Sequence, residues 1–141
     1  MLKHIAIASL ALGLVVAHAD EEKKKATAPK IDPATLSHDV DLTQFNLAEG
    51  KKTFEANCVL CHGAAGKGDG AGAAALNPKP RNLTDVKYMS GRTWKELRDV
   101  IAMGGANSGF SALMPAWKGQ LKNKQIDDVL AYVITLSPKK K

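Results

Sequence analysis

Hydrophobic residues repeat with the period of an amphipathic helix in two segments of the second half of the chain. The later stripe contains Ile126, Val129, Leu130, Val133 and Leu136. It predicts a helix over about 124–136, which Pro138 ends. The earlier stripe contains Trp94, Leu97, Val100 and Ile101. It predicts a helix that begins at a Thr93–Glu96 capping box and runs to about Met103, where two glycines stop it.

A third helix is predicted nearer the start of the chain. Asn46 is a suitable N-cap for a helix that begins at Leu47, and Glu49 is placed to reach back to the N–H of the cap. The stripe of this helix contains Leu47, Gly50, Phe54 and Asn57, and it leads directly into Cys58. A glycine inside a helix costs roughly 1 kcal/mol relative to alanine. Gly50 therefore indicates that another helix passes close to this position.

The stretch Cys58-Val59-Leu60-Cys61-His62 carries the most specific chemistry in the sequence. Two thiols three residues apart, with an imidazole directly after the second, are the attachment pattern of a c-type haem. One turn of helix sets both sulfurs where they can form thioethers to the two vinyl groups of a porphyrin. The pattern predicts Cys58 and Cys61 as covalent anchors and His62 as the proximal ligand of the iron.

Other uses of a cysteine pair fit the sequence less well. A thioredoxin-like dithiol follows a strand in an α/β layer, whereas the residues before Cys58 are predicted to be helical. A structural zinc site usually has two separated ligand pairs, and beyond residues 1–19 the chain offers only His38 as a spare imidazole, which we expect at the surface. A disulfide within one helical turn has poor geometry. The sequence favours haem.

The two ends of the chain differ in composition from its middle. Residues 1–19 combine Lys3, an apolar run and an Ala-His-Ala cleavage pattern, which predicts a secretory signal peptide. The apolar run is shorter than the roughly 20 residues of a membrane span, so no transmembrane anchor is expected. Residues 20–44 are charged and contain prolines, and they are predicted to form a flexible leader. Residues 138–141 are predicted to form a basic tail.

Charge and cysteine content narrow the possible partners and the compartment. The chain has a formal net charge of +6 and two cysteines, and much of the positive charge lies in the lysine-rich ends. The domain lacks a concentrated basic patch, so binding to nucleic acid is not expected. An exported chain whose cysteines both lie in C-x-x-C-H fits the bacterial periplasm, where apocytochromes receive haem.

Glycines and prolines fill the region after His62. The glycine-rich run over residues 63–72 predicts a tight loop that passes close to a flat ligand. Pro78 and Pro80 fix an extended path, and the carbonyl of one of them is expected to accept a hydrogen bond from Nδ1 of His62. Arg81 is a candidate partner for a haem propionate.

A methionine is the expected ligand on the second side of the iron. Met103 lies near the end of a predicted helix, where we expect it to pack in the core or to make a contact at the helix end. Met89 follows Tyr88 in a predicted loop and stays a candidate. Met114 is favoured, because the following Pro115 fixes an extended backbone that can carry a thioether across the haem face.

Together these motifs resemble a known family. They are a Gly-x-x-x-Phe helix entering C-x-x-C-H, a glycine-rich loop, Pro-Arg-Asn-Leu, Met-Pro-Ala-Trp and a last helix containing Ala-Tyr-Val. Over residues 45–137 the chain resembles class I, mitochondrial-cytochrome-c-like, bacterial monohaem cytochromes. The resemblance implies an all-α cytochrome c fold whose first and last helices cross near Gly50, Phe54 and Tyr132. It also implies that loops wrap around one covalently bound haem c. The haem would lie between the Cys58–His62 segment and Met114.

These expectations predict a periplasmic carrier of single electrons between redox partners. An iron held by both His62 and Met114 has no open position for a substrate, so no enzyme activity is expected, and the thioether raises the potential. Lys67, Lys79 and Lys118 are candidates for steering an acidic partner to the haem edge. We expect a monomer.

Two alternatives would give the haem a different setting. A five-coordinate haem that binds a gas or reduces peroxide requires that no methionine reach the iron, and peroxide chemistry also needs acid and base groups near it. A small subunit permanently bound to an oxidoreductase would keep the same haem chemistry. That second alternative predicts co-purification with the larger complex.

Overall fold

The computed structural model describes residues 29–32 and 34–137 of the chain. The predicted signal peptide, the first part of the predicted leader and the predicted basic tail lie outside the described residues, as does Pro138. The described residues are helical and contain no β-strand. No described helix has the length and apolar character needed to cross a membrane.

Five α-helices follow one another along the described residues. They are α1 (Leu47–Asn57), α2 (Val59–His62), α3 (Val86–Ser90), α4 (Trp94–Met103) and α5 (Asn123–Thr135). Short 3-10 helices cover Ser37–Asp39, Leu42–Gln44, Ala71–Ala75 and Ala106–Ser108. The periodic patterns therefore predicted α1, α4 and α5 correctly, and the predicted ends of α5 are one residue too late.

The start of α1 is joined to α5 through a buried carboxylate. Asn46 caps α1 as predicted, because its Oδ1 accepts a hydrogen bond of 3.1 Å from the N–H of Glu49. The predicted return bond from Glu49 is wrong. The N–H of Asn46 donates instead to Oδ1 of Asp128 at 3.0 Å, and Glu49 pairs with Lys52 in solvent. Asp128 lies within reach of the cap and also accepts from Lys124 on its own helix.

Helix α1 packs directly on α5 at Gly50. A Cβ atom at Gly50 would lie 2.1 Å from the carbonyl oxygen of Asp128 and 3.0 Å from Cβ of Tyr132. One helical turn later, the rings of Phe54 and Tyr132 lie 5.5 Å apart, and Phe54 is buried. The glycine removes the side chain that would otherwise hold the two backbones apart.

Helix α4 covers the same core from another side. The Thr93–Glu96 capping box is present as predicted, and Gly104 ends the helix with φ +82°. Trp94 is buried and stacks on Phe45, with ring centroids 4.7 Å apart. The side chains that share this core include Phe54, Met89, Leu97, Val129, Leu130 and Val133.

The predicted flexible leader is wrong for its last part, because residues 35–44 pack on the domain. Ser37 is fully buried, and its Oγ donates to the carbonyl oxygen of Met89 at 2.7 Å. Val40 is also buried. His38 was expected at the surface, but both of its ring nitrogens are shielded from solvent. The contacts join residues far apart in sequence, so the local composition gave no sign of them.

Helix α3 lies where a loop was predicted. The side chain of Asp85 caps it by accepting a hydrogen bond of 3.1 Å from the N–H of Tyr88. Met89 is fully buried in the core. A helix of this length is too short to display a hydrophobic period, so the sequence analysis did not detect it.

We predict that Gly50→Ala destabilises the protein. Alanine normally stabilises a helix interior relative to glycine by roughly 1 kcal/mol, so the propensity effect has the opposite sign. Here the added methyl group would overlap the backbone of α5, and we expect a net loss of about 1–3 kcal/mol in the free energy of unfolding, measured by denaturant titration. Gly91→Ala is the control, since a Cβ there would make a tight contact of 3.3 Å with the carbonyl oxygen of Lys87 but would not overlap it. Equal stability of the Gly50 variant and the parent would contradict the close packing.

Candidate haem-binding site

The junction between α1 and α2 brings the two thiols and the imidazole onto one turn. The N–H of Cys58 donates to the carbonyl oxygen of Phe54 at 2.8 Å and so ends α1. The carbonyl oxygen of Cys58 then accepts from the N–H groups of Cys61 at 3.2 Å and His62 at 2.9 Å. The helical turn expected for the C-x-x-C-H stretch is therefore present.

A cavity of about 730 Å³ adjoins this turn. All six residues predicted for the site lie in its wall: Cys58, Cys61, His62, Pro80, Arg81 and Met114. Much of the remaining wall is apolar and includes Leu76, Leu83, Leu97, Val100, Ile101, Leu130 and Val133. A large apolar cavity with a few grouped polar atoms is typical of a cofactor site.

The ring of His62 is oriented by a backbone carbonyl. Its Nδ1 lies 3.2 Å from the carbonyl oxygen of Arg81. Because a carbonyl oxygen only accepts, Nδ1 carries the proton and Nε2 keeps a free lone pair for a metal. Burial lowers the pKa of His62, and the hydrogen bond to Arg81 opposes this shift in part. The imidazole is therefore suited to bind iron in its neutral form.

The prediction that Pro78 or Pro80 supplies this carbonyl is wrong. Arg81, the residue directly after Pro80, supplies it. The carbonyl oxygen of Pro80 faces Gly68 instead. A Cβ atom at Gly68 would lie 2.3 Å from that oxygen, and Gly68 has φ +78°, a conformation that favours glycine. Since successive carbonyls of an extended chain point in different directions, the next one, from Arg81, reaches His62.

The glycine-rich run over residues 63–72 packs on protein backbone, which differs from the prediction that it faces a flat ligand. None of its residues lies in the cavity wall. The N–H of Gly68 donates to the carbonyl oxygen of His62 at 2.8 Å, and that of Gly70 donates to Cys61 at 3.2 Å. A Cβ atom at Gly70 would lie 2.4 Å from the carbonyl oxygens of Val59 and Leu60. The glycines allow the loop to fold back on α2.

The donor atoms and their surroundings fit haem better than a redox dithiol or zinc. Burial, together with the neighbouring Cys61, raises the pKa of the Cys58 thiol to about 11, whereas redox dithiols depend on a lowered pKa. Over residues 29–32 and 34–137, no group of three His, Cys, Asp or Glu side chains is gathered to hold a metal ion. Two thiols, one imidazole and a thioether on one apolar cavity remain as a haem-binding set.

Two methionines reach the cavity from different segments. Met114 lies in the wall, and its carbonyl oxygen accepts a hydrogen bond of 3.0 Å from the N–H of Gly105, just after α4. Met89 also lies in the wall but is fully buried on α3. Met103 does not line the cavity and is exposed at the last residue of α4, so the core-packing alternative predicted for it is wrong.

Sequence reasoning missed Tyr88 as a neighbour of the site. Its ring lies under two guanidinium groups, with the Cζ of Arg81 4.4 Å and that of Arg92 4.9 Å from the ring centroid. Tyr88 also lies in the cavity wall. The proline segment and α3 approach each other only in the fold, so no motif in the sequence announces this contact.

With the cavity described, comparison with known proteins assigns the chain to a family. A protein-family model matches residues 45–133, and the family is described as cytochrome c oxidase, cbb3-type, subunit III. The chain belongs to this family. It is a class I-like monohaem cytochrome c domain of electron transport, and its cofactor is covalently attached haem c. The family predicted from the sequence motifs is thereby confirmed.

Curated relatives of this cytochrome domain include long and short proteins. The cbb3-type cytochrome c oxidase subunit FixP of Bradyrhizobium diazoefficiens is 36% identical over 92 residues, which cover 65% of this chain and 28% of FixP. Cytochrome c-555 of Prosthecochloris aestuarii is 31% identical over 100 residues, covering 67% of this chain and 91% of that protein. Cytochrome c6 of Synechocystis sp. is 30% identical over 95 residues, which cover 67% of this chain and 68% of that protein. The chain thus spans just over a quarter of the length of FixP.

Among solved structures, the reducing HAO-like protein complex of Kuenenia stuttgartiensis contains a chain of similar fold. The TM-score is 0.56 and the identity 22%, over 78% of this chain and 50% of that one. At this identity the similarity concerns the fold alone.

We predict that each of the two thiols forms its own bond to the porphyrin. Cys61→Ala is expected to leave one thioether, and the double variant Cys58→Ala/Cys61→Ala none, as measured by haem staining after denaturing electrophoresis and by the pyridine haemochrome spectrum. Leu60→Ala is the control, since Leu60 lies between the cysteines and is exposed. Two thioethers in the Cys61 variant would refute its assignment as an anchor.

Proposed function

We propose that this cytochrome is an exported, periplasmic carrier of single electrons. Cys58 and Cys61 would hold the haem covalently, and His62 and Met114 would bind its iron. In this arrangement α1 and α5 cross, and the loops wrap around the haem. The observation that carries the proposal is that both cysteines, the histidine and the methionine lie in the wall of one apolar cavity.

The two proposed iron ligands, His62 and Met114, and the apolar wall around them suit electron transfer. When bound, the haem iron supplies a centre that takes up and releases one electron. The carbonyl of Arg81 fixes the ring of His62 and raises its basicity. The thioether of Met114 favours the reduced iron, and a six-coordinate site leaves no place for substrate. The apolar wall keeps water away, so the change in charge causes little rearrangement.

Arg81 is suited to a second role at the cavity wall. Its guanidinium is exposed and forms no ion pair with any residue in the described part of the chain. The propionates are the anionic groups of a haem, and a guanidinium can bind a carboxylate through two parallel hydrogen bonds. We assign Arg81 to a propionate, and Pro80 to the wall beside it.

The distribution of lysines supports an acidic redox partner. Four lysines on α1, α4 and α5 are paired with acidic residues: Lys51, Lys52, Lys95 and Lys124. No ion pair with a described residue is formed by Lys87 and Lys122, or by the three lysines predicted to steer a partner: Lys67, Lys79 and Lys118. Of these, Lys79 lies in the cavity wall, where Leu60, Phe110 and Leu113 are exposed apolar neighbours. An apolar rim with uncompensated positive charge fits a transient contact with an acidic surface.

A second candidate function is permanent membership of a larger oxidoreductase. It is favoured by the matching family model and by the FixP relatives, whose names describe an oxidase subunit. The haem chemistry would be unchanged, and the rim around the cavity would be a fixed interface. Co-purification of the tagged chain with a stoichiometric oxidase would favour this candidate, whereas recovery of the chain alone favours the free carrier.

We predict that Met114→Ala lowers the reduction potential and opens the sixth position of the iron. Carbon monoxide should then bind to the reduced protein, since no thioether competes for the site. Spectroscopic titration measures both effects. Met89→Leu is the control, because it keeps the apolar volume of the other methionine in the cavity wall and should leave the sixth position closed. The reverse pattern would assign the ligand to Met89, and carbon monoxide binding by the parent protein would favour the five-coordinate alternative.

We predict that Lys79→Gln slows electron transfer to an anionic probe. Removal of one unpaired charge at the cavity rim should reduce the rate of oxidation by ferricyanide roughly two- to threefold at low salt, and the difference should shrink as salt is added. With the cationic probe hexaammineruthenium the change should be absent or reversed. Lys52→Gln, on the helix α1 and paired with Glu49, is the control. Equal effects of the two variants would count against steering at the rim.

A further inference from the structure

We propose that the ring of Tyr88 holds Arg81 in the position from which its carbonyl oxygen binds His62, and so sets the strength of the proximal hydrogen bond. The inference rests on the proposed function, because it takes His62 to be the iron ligand. Tyr88 makes no hydrogen bond to His62 in the structure. It is a positioning residue that acts through Arg81.

Arg81 takes part in two contacts at once. Its carbonyl oxygen lies 3.2 Å from Nδ1 of His62, at the long end of the range for such hydrogen bonds. Its guanidinium Cζ lies 4.4 Å from the centroid of the Tyr88 ring, close enough for attraction between the cation and the π electrons. Because the two contacts involve one residue, we expect a guanidinium held on the ring to limit the motion of the Arg81 backbone, so that loss of the ring contact lets the carbonyl shift. Since the distance is already long, a small shift of the carbonyl oxygen away from Nδ1 would break this hydrogen bond.

The ring of Tyr88 is itself well supported. The N–H of Tyr88 donates to Asp85 at the start of α3. On the same ring, Cζ of Arg92 lies 4.9 Å from the centroid, and Arg92 is held by Glu96 at 3.6 Å and by Ser37, whose N–H donates to its carbonyl oxygen at 2.8 Å. Arg81 forms no ion pair with a described residue, so among the protein groups the ring of Tyr88 is the partner that holds its guanidinium. In the haem-loaded protein, the propionate assigned above would be a second partner of the same guanidinium.

The proposed contact has a definite electronic consequence. A hydrogen bond from Nδ1–H to a carbonyl raises the basicity of the imidazole, which stabilises the oxidised iron. Weakening this bond should therefore raise the reduction potential. Phenylalanine keeps the face of the ring and should preserve the effect, whereas leucine removes it.

The test uses the haem-loaded protein and reads the hydrogen bond directly. NMR of the reduced, diamagnetic protein gives the rate at which the Nδ1 proton of His62 exchanges with solvent. We expect exchange to be roughly fivefold faster in Tyr88→Leu, as suits one weakened hydrogen bond, together with a higher midpoint potential. Tyr88→Phe should stay within about twofold of the parent. Lys87→Leu, an exposed neighbour on α3, is the control.

A second pair of variants separates positioning from packing, since Tyr88 also lines the cavity. Arg81→Leu should accelerate exchange at least as much as Tyr88→Leu, because it removes the propionate contact as well as the ring contact. Adding Tyr88→Leu to Arg81→Leu should give no further acceleration, because the ring then has no guanidinium to hold. If Tyr88→Leu yields no folded protein, Arg81→Leu decides. Unchanged exchange in the leucine variants, equal loss in Tyr88→Phe, or additive effects would overturn the inference. Absence of covalent haem in the parent protein would instead overturn the proposed function.

Discussion

The packing of α1 on α5 at Gly50 is the contact on which the rest of the structure depends. It brings the backbone of α1 against the carbonyl of Asp128, and the buried Asp128 carboxylate then accepts from the N–H that precedes α1. Since α1 leads directly into Cys58, its position on α5 also fixes the turn that carries the two thiols and His62. Side chains of α3 and α4 also line the cavity. The hydrophobic core and the cavity of the haem site therefore share side chains from the same helices.

Around this cavity the backbone contributes as much as the side chains. The carbonyl of Arg81 selects the tautomer of His62, and the N–H of Gly105 holds the segment that carries Met114. In both contacts the loop residue uses a backbone atom, the carbonyl oxygen of Arg81 or the N–H of Gly105. The chain tunes its cofactor through loops whose path is fixed by glycine and proline, while the apolar residues exclude water. A site of this kind suits the proposed transfer of single electrons, a reaction that requires no acid, base or nucleophile.

The sequence predicted those features that depend on local spacing. Helical periods and caps gave α1, α4 and α5, and C-x-x-C-H with the later motifs gave the cofactor and the family. The errors concern contacts between distant segments. The register that turns Arg81 rather than Pro80 toward His62 depends on Gly68, and the buried position of Ser37 depends on the carbonyl of Met89. Tyr88 was missed because its arginine neighbours meet only after folding. The role of a residue can be predicted from the sequence where it follows from local spacing. It cannot be predicted in this way where it depends on a tertiary contact.

The central claim is that one covalently held haem is bound by His62 and a methionine. The most direct measurement is the absorption spectrum of the purified protein, oxidised and reduced, together with haem staining after denaturation. The account predicts one covalent haem per chain and, in the oxidised protein, the weak near-red band of methionine-ligated ferric haem. Covalent haem without that band would contradict the methionine ligand and favour gas or peroxide chemistry. Absence of covalent haem would contradict the claim as a whole.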